Sequence, residues 1–367
     1  MRLLSTWQRI PVHMSDKLRL DGHKLHLHPQ RVAAFLAGQP IAPIYIEISP
    51  TNRCNLRCRF CALEYRQGES CDIDHARLQQ LLCEFAEVGV RSVCFAGEGE
   101  PLLYPYFAEA VMQCARGGLH CAVATNGTCL DRELAVTMVR NLTWVKISLN
   151  AIRPATYAEI HRCSADNLER VLAGIAMLVE ERRRCEGKAT IGVQAVLLLE
   201  NAGEMVEMAG RLRELGVDYF VIKPFNQNMH SSNTEYRRID YRQYLWLAEP
   251  LQELSNDGFR VVFRLGALHK VISEQRPYGG CLGINFFALV HSDGNLYTCA
   301  PHSGVATNCY GNVYLAKFGE IWNSERRRAV SCQYATTLAD CPVGCRLDEI
   351  NRYLWELQHP SPHVNFI

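Results

Sequence analysis

The sequence predicts an α/β chain, a partial (β/α)6 barrel followed by a cysteine-rich appendage. Three observations carry this. Apolar strand-like runs recur at Ile44–Ser49, Arg91–Ala96, Leu119–Thr125, Thr143–Leu149, Thr190–Leu199 and Tyr219–Lys223. Between them, sets such as Leu78-Leu81-Leu82-Phe85 and Leu168-Val171-Leu172-Ile175-Leu178 repeat at helical spacing. Late in the chain the pattern changes, and cysteines return at 281, 299, 309, 332, 341 and 345. Repeated strand–helix units imply a parallel sheet with right-handed crossovers, and six such units are too few for a closed eight-fold barrel. The expected divisions are a lead-in at 1–43, the barrel at 44–235, a bridging segment at 236–280, and the appendage with a closing helix at 281–367.

Composition narrows the class. The 367 residues are 48% hydrophobic and 21% charged, ordinary for a globular protein. A formal net charge of +1 provides no basic field for nucleic acid. The runs Arg182-Arg183-Arg184 and Arg326-Arg327-Arg328 are flanked by Glu and read as solvated helix faces. Met1–Arg9 holds no sustained apolar run, and no later run is long enough for a membrane helix, so a cytoplasmic protein without a membrane partner is expected. In a reducing compartment, 17 cysteines point to metal ligation or catalysis before disulfides.

Taken in order, the lead-in carries Gly22-His23-Lys24-Leu25-His26-Leu27-His28, whose alternating histidines read as a strand edge or a metal site. The first barrel strand then runs into Thr51-Asn52-Arg53-Cys54-Asn55-Leu56-Arg57-Cys58-Arg59-Phe60-Cys61. Its C-x3-C-x2-C spacing lets three thiolates converge on one soft metal centre, with three buried structural thiols as the alternative. Three sulfurs would leave a 4Fe–4S cubane with one iron open to a ligand. This array, with the aromatic Phe60 before its last cysteine, resembles the signature of the radical S-adenosylmethionine (SAM) superfamily. The resemblance implies that Cys54, Cys58 and Cys61 hold a 4Fe–4S cluster whose open iron binds SAM. Reductive cleavage of SAM then gives a 5′-deoxyadenosyl radical, with the electron supplied by a donor such as flavodoxin or ferredoxin.

In barrels of this kind the chemistry sits at the C-terminal strand ends. The second strand ends in Gly97-Glu98-Gly99-Glu100-Pro101, similar to the family's Gly-Gly-Glu motif. That likeness assigns Gly97, Gly99 and Glu100 to the SAM amino group. Glu98 stands where Gly is usual, and its carboxylate is expected to reach the cavity. The third strand ends at Asn126-Gly127, a turn common in relatives. Ser148 and Asn150 alternate onto one face of the fourth strand and match positions that bind the SAM ribose or carboxylate. Arg162 resembles the arginine that pairs the SAM carboxylate, and Val196 lies in the strand that matches the adenine-contacting segment. Lys223 ends the sixth strand, where it would bind an oxyanion, act as a base if desolvated, or pair with a carboxylate on the outside.

The bridge contains an amphipathic helix around Tyr244–Leu254 and a strand-like Arg260–Leu265. Beyond it, Asp293-Gly294 between apolar strands marks a hairpin. With its flanking cysteines this resembles the SPASM/twitch appendage of the same superfamily, which implies one auxiliary 4Fe–4S cluster on Cys281, Cys299, Cys341 and Cys345. Cys309 is the reserve ligand, and a four-cysteine zinc site is the physical alternative. Leu347–Leu357 reads as a final amphipathic helix.

The resulting expectation is a radical SAM oxidoreductase acting on a sugar, aminocyclitol or nucleotide sugar. Lys223 or Glu98 would serve as the base, and the auxiliary cluster would accept the second electron. An epimerase returning hydrogen from Cys309 or Cys94, a peptide maturase, and a non-catalytic metal scaffold are the competing readings.

Overall fold

Among the described residues, eight strands run parallel in one sheet. The computed structural model describes residue 18 and residues 22–366, apart from positions 67, 274, 339 and 340; the Met1–Arg9 stretch lies outside these. The lead-in folds as a short 3-10 turn, Leu25–Leu27, and helix α1, Pro29–Leu36. The expected strand edge at the histidines is therefore absent. Instead His23 stacks on Tyr353 of the last helix, and Pro29 at the first helical position directs the chain into α1.

Strands β1 (Tyr45–Ile48), β2 (Ser92–Phe95), β3 (His120–Thr125), β4 (Trp144–Ser148), β5 (Thr190–Leu197), β6 (Tyr219–Pro224) and β7 (Arg260–Phe263) pair in sequence, all parallel. Helices α2 (His75–Val88), α3 (Phe107–Arg116), α4 (Arg132–Asn141), α5 (Pro154–His161), α6 (Asp166–Arg184) and α7 (Met205–Leu215) return the chain between the first six. Asp74 and Asp131 cap α2 and α4 by accepting amides of their first turns. The bridge supplies a 3-10 segment, Tyr241–Leu247, and α8, Ala248–Glu253, before β7.

Two features exceed the expected six units. β7 extends the parallel series, and after α9 (Leu265–Ser273) strand β8 (Phe287–Val290) pairs in parallel with β1. The hairpin partners β9 (Asn295–Tyr297) and β10 (Cys309–Asn312) follow antiparallel, so the cysteine-rich part shares the barrel sheet. Helices α10 (Phe318–Trp322), α11 (Glu325–Thr336) and α12 (Asp348–Gln358) complete the chain.

Strand alternation sorts the side chains into two environments. Ile46, Ile48, Val93, Phe95, Val123, Val145, Ile147, Val193 and Phe220 face the helices and are almost entirely buried. The opposite faces of the same strands carry Tyr45, Glu47, Cys94, Lys146, Tyr219 and Lys223. Tyr219, Val221 and Val262 gather with Leu18 into a small apolar cluster of their own. Parallel sheets bury both faces, so charged residues on the inner one stand out. Among the described residues no helix is long and apolar enough to cross a membrane.

Candidate active site

The first cysteine array leaves β1 and is fixed on three sides. Arg53 makes a two-pronged pair with Asp72 at 3.0 and 2.6 Å and also donates to the Leu103 carbonyl. Asn55 donates to Thr128 Oγ1 at 2.7 Å and accepts from Asn126 Nδ2 at 2.8 Å. The Arg57 and Arg59 amides donate to the His161 and Ile160 carbonyls at the end of α5. Arg59 also pairs with Glu159, Glu200 and Glu235, anchoring the loop from outside.

Within this frame Cys54, Cys58 and Cys61 are half-buried free thiols, and Cys58 lies close enough to both others for mutual charge repulsion. Burial raises all three above the ordinary thiol range. Bound metal would offset that cost, because it takes the thiolate directly. The donor set is all sulfur and reduced, which fits an iron–sulfur cluster. Among the described residues, no group of three or more His, Cys, Asp or Glu side chains closes round a single ion. Phe60 meets His161 edge-on with ring centroids 5.7 Å apart, and His161 in turn touches the Cys58 sulfur.

The β2 loop is pressed against the cysteine loop. The Glu100 amide donates to the Arg53 carbonyl at 2.8 Å. Gly97 has a φ of 118°, and a side chain there would collide with Ser49 Oγ; at Gly99 it would meet the Thr51 carbonyl oxygen at 2.6 Å. Both glycines are thus required by close backbone approach. Glu100 is buried and accepts from Thr125 Oγ1, the Asn126 amide and the Leu102 amide. Burial raises its pKa, and these three donors work against the rise.

Glu98 does not present a free carboxylate. It accepts from Arg66 at 2.7 Å and from the Ser292 amide and hydroxyl at 3.1 Å each. His291 Nδ1 lies 2.6 Å from it without hydrogen-bond alignment, a contact that is ionic when the ring is protonated. Burial alone would raise its pKa, but these partners hold it at about 2. With Arg66 also on Asp293, Glu98 ties the cysteine loop to the β8–β9 hairpin. A carboxylate so occupied is a poor proton acceptor, which speaks against the expected role as base.

Asn150 is likewise engaged. Its side chain accepts from the Val196 amide at 2.8 Å and meets His161 Nε2 at 3.3 Å. It therefore joins the ends of β4 and β5 to α5. Ser148 is partly accessible on the inner face, and Val196 is buried beside it. Arg162 is exposed at the end of α5 in a left-handed conformation, with φ 50°.

Lys223 points into the barrel. It shares that space with Lys146, Arg346, Arg264, Glu47, Tyr45 and Cys94. Burial and then its cationic neighbours hold Lys223 at about 7. Arg346 pairs with Glu47 and lies over the Phe287 ring, yet keeps 49% of its side-chain surface. Tyr45, Lys146 and Lys223 on the same inner face are also partly accessible, so that face borders water-accessible space. Sequence reading passed over Glu47, Lys146 and Arg346, although charges alternating through β1 and β4 were visible.

The late cysteines separate. Cys281, Cys299, Cys341 and Cys345 lie within range of each other's charge. Asn351 Nδ2 donates to Cys281 Sγ, the Leu347 amide donates to Cys345 Sγ, and His302 Nε2 contacts Cys341 Sγ, each at 3.4 Å. Their all-sulfur donor set fits the auxiliary cluster. Cys309 sits elsewhere on outer strand β10, against Asn295 and the Gly311 carbonyl. Cys281 thus lies near Cys299, Cys341 and Cys345, while Cys309 lies apart from all four. A cavity of about 500 Å³ opens between the β6 end and the Cys341–Gly344 loop, past Asn226, Asn228 and Arg237.

A parallel α/β barrel whose first strand feeds a three-cysteine loop, with further cysteines in a C-terminal part that shares its sheet, has the features of an iron–sulfur protein. Comparison with known proteins identifies it further. The family model for the radical SAM superfamily matches residues 48–212, and that for the SPASM iron–sulfur cluster-binding domain matches residues 281–346. The chain carries a radical SAM domain, which binds a 4Fe–4S cluster and SAM, and a SPASM domain with auxiliary iron–sulfur ligation.

It is similar to the tungsten-containing aldehyde ferredoxin oxidoreductase cofactor-modifying protein of Pyrococcus furiosus. The two are 25% identical over 311 residues, covering 77% of this chain and 81% of that protein. The GTP 3′,8-cyclase of Chlorobaculum tepidum is 28% identical over 190 residues, covering 50% of this chain and 55% of the cyclase. Among solved structures, SuiB of Streptococcus suis bound to the precursor peptide SuiA superposes with a TM-score of 0.67 at 17% identity. It covers 92% of this chain and 78% of SuiB.

Proposed function

We propose that this enzyme abstracts hydrogen from a small polar molecule seated in the barrel interior, oxidising a hydroxyl-bearing carbon of a sugar, aminocyclitol or nucleotide sugar. The observation that carries the reading is the inner face itself. Where a structural barrel is filled by branched apolar side chains, here Tyr45, Glu47, Lys146, Lys223 and Arg346 surround a water-accessible space. The P. furiosus relative is named for modifying a cofactor and the cyclases for acting on GTP, both small molecules. The peptide-bound SuiB likeness, at 17% identity, speaks to the fold alone.

When bound, the SAM-ligated cluster supplies a hydrogen-abstracting radical, and the auxiliary cluster, on four thiolates, supplies an electron carrier. Cys54, Cys58 and Cys61 would hold the first, and Cys281, Cys299, Cys341 and Cys345 the second. Gly97 and Gly99 admit the loop backbone, Glu100 fixes the β3 turn, and Ser148 faces the interior where SAM is expected. Of the two candidate bases, Lys223 alone faces that space; there it can hold an oxyanion or accept a proton. Arg162 and Asn126 remain candidates for SAM contact, the first from an exposed position and the second through the turn it shares with Asn55.

A second reading is epimerisation. It is favoured by Cys94, which lies in the same interior beside Tyr45 and Glu47 and is pushed up to about 12 by burial. A thiol held protonated can return a hydrogen atom. Cys309, out on β10, is less well placed.

Anaerobic incubation of the reconstituted enzyme with SAM, a reductant and a panel of sugars, nucleotides and peptides tests the reading, scored by 5′-deoxyadenosine. Stimulation by a small polar compound with product lighter by two hydrogens supports oxidation, and an unchanged mass supports epimerisation. Stimulation by peptides alone overturns the small-molecule reading.

A further inference from the structure

Among the described residues, Lys146, Lys223 and Arg346 share the inner face with one carboxylate, Glu47. Glu47, on β1, pairs with Arg346 and accepts from Tyr45 Oη at 3.2 Å. Lys146, on β4, and Lys223, on β6, share the interior with that pair, and Arg264 at the end of β7 adds a further positive charge. Lys146 lies 5.2 Å from the Trp144 ring centre. Among the described residues neither lysine has a hydrogen-bond or ion-pair partner. Both are partly buried, and desolvation depresses the pKa of each. Burying cations without counterions is costly, and such groups are ordinarily paired.

A structural role explains Arg346, which holds Glu47 and follows the auxiliary ligand Cys345 directly in sequence. It does not explain two lysines from strands on opposite sides of β5 aimed at one space. Two lysine ammonium groups and a guanidinium around a solvated cavity form a receptor for an oxyanion. We propose that the space between Lys146, Lys223 and Arg346 seats an oxyanion group, phosphate or carboxylate, of the substrate. This rests on the small-molecule reading above and names the substrate class as anionic.

The position suits the chemistry. Lys146 precedes Ser148 by two residues on the same face of β4, about 7 Å lower along the strand. Lys223 lies nearer the strand end, beside Val196 in register, so an anion between the two lysines lies below the cofactor-binding strand ends. The apolar cluster of Tyr219, Val221 and Val262 lies on the strands that carry Lys223 and Arg264, toward the opposite end.

The test is calorimetric titration of the reconstituted, SAM-loaded enzyme with inorganic pyrophosphate and, separately, malonate. Wild type should bind at least one of them saturably, and the pair of probes separates phosphate from carboxylate selectivity. Lys146→Gln and Lys223→Gln should each weaken binding by about tenfold or more, the loss expected for one charged hydrogen-bond donor. Lys223→Arg should stay within a few-fold of wild type, and the exposed Lys188→Gln should not change it. Equal binding by all variants, which would mean adventitious surface binding only, overturns the proposal; so does absence of saturable binding by wild type. Far-UV circular dichroism and iron content check folding, and if a Gln variant misfolds the Lys→Arg and Lys→Met variants carry the comparison. Because the readout is binding, peptide-only stimulation of SAM cleavage would sink the small-molecule reading without altering this titration.

Discussion

His161 Nδ1 stands 3.1 Å from the Cys58 sulfur, while its Nε2 meets the Asn150 side-chain amide at 3.3 Å. Asn150 Oδ1 already accepts from the Val196 amide, so its NH2 group faces the ring. Burial holds His161 down at about 4, which keeps it neutral. The ring nitrogen facing Asn150 therefore accepts, and the one facing Cys58 carries the hydrogen. Strand β5, strand β4, helix α5 and the cysteine loop are joined in one chain of contacts.

Replacing this donor should change the cluster. Hydrogen bonds to cluster sulfurs raise the reduction potential, so His161→Phe should shift it more negative in an EPR-monitored redox titration. SAM cleavage should slow by roughly 10- to 100-fold, as for other residues that orient metal ligands. Asn150→Leu, which releases the ring, should shift the potential in the same direction. An unmoved potential in both would reduce His161 to a packing role.

His161 also shows where sequence reading ends. Cysteine spacing and the 3.6- and 2-residue periods are local, so the three-cysteine loop, the strand order and the Gly97–Gly99 turn were all legible. The His161–Cys58 contact joins residues 103 positions apart, and Glu98–Ser292 joins residues 194 apart. Nothing local distinguishes such a histidine from an ordinary core one. Glu98 misled for the same reason, because its partners Arg66, His291 and Ser292 come from distant loops. β8 was read as part of a separate hairpin because its pairing with β1 is set by topology alone.

The close approach of two loops makes Gly97 sensitive. Gly97→Ala places a methyl against Ser49 Oγ at a φ of 118°. Ser49 donates to the Ala96 carbonyl and accepts the Glu98 amide, so the collision spreads through both loops. The strained backbone and overpacking together should cost about 2–4 kcal/mol. A lowered melting temperature and weakened SAM binding by calorimetry should appear together. Wild-type SAM affinity in the variant would show that the loop adapts freely.

Iron counting separates the two thiolate sites. The combined Cys54, Cys58 and Cys61→Ala variant should keep about four irons and lose SAM cleavage, since the auxiliary cubane remains on its own ligands. Alanine at Cys281, Cys299, Cys341 or Cys345 should lower iron while leaving the first cluster's spectrum. Cys309→Ala should leave iron content unchanged, because that thiol contacts Asn295 and the Gly311 carbonyl and stands apart from the other four. Iron loss on Cys309→Ala equal to that of Cys299→Ala would restore it to the ligand set.

Lys223 gives the chain a pH signature of definite sign. Its pKa falls from 10.5 to about 7 through burial first, then the charges of Lys146, Arg346 and Arg264, with Glu47 opposing. Between those values the unfolded chain binds more protons than the folded one, so this group's contribution to stability rises with pH. Below about pH 7 both states are charged, and the cost of burying the ammonium is fully present. Lys223→Met removes that cost. The variant should therefore melt higher than wild type at about pH 6, with the gap shrinking toward about pH 9 as wild-type Lys223 is neutralised. Saturating oxyanion in the cavity should also narrow the gap at low pH, because the bound charge compensates the lysine directly. Melting curves of the reconstituted protein across this range measure it, and a gap that widens with rising pH would place Lys223 in an ion pair after all.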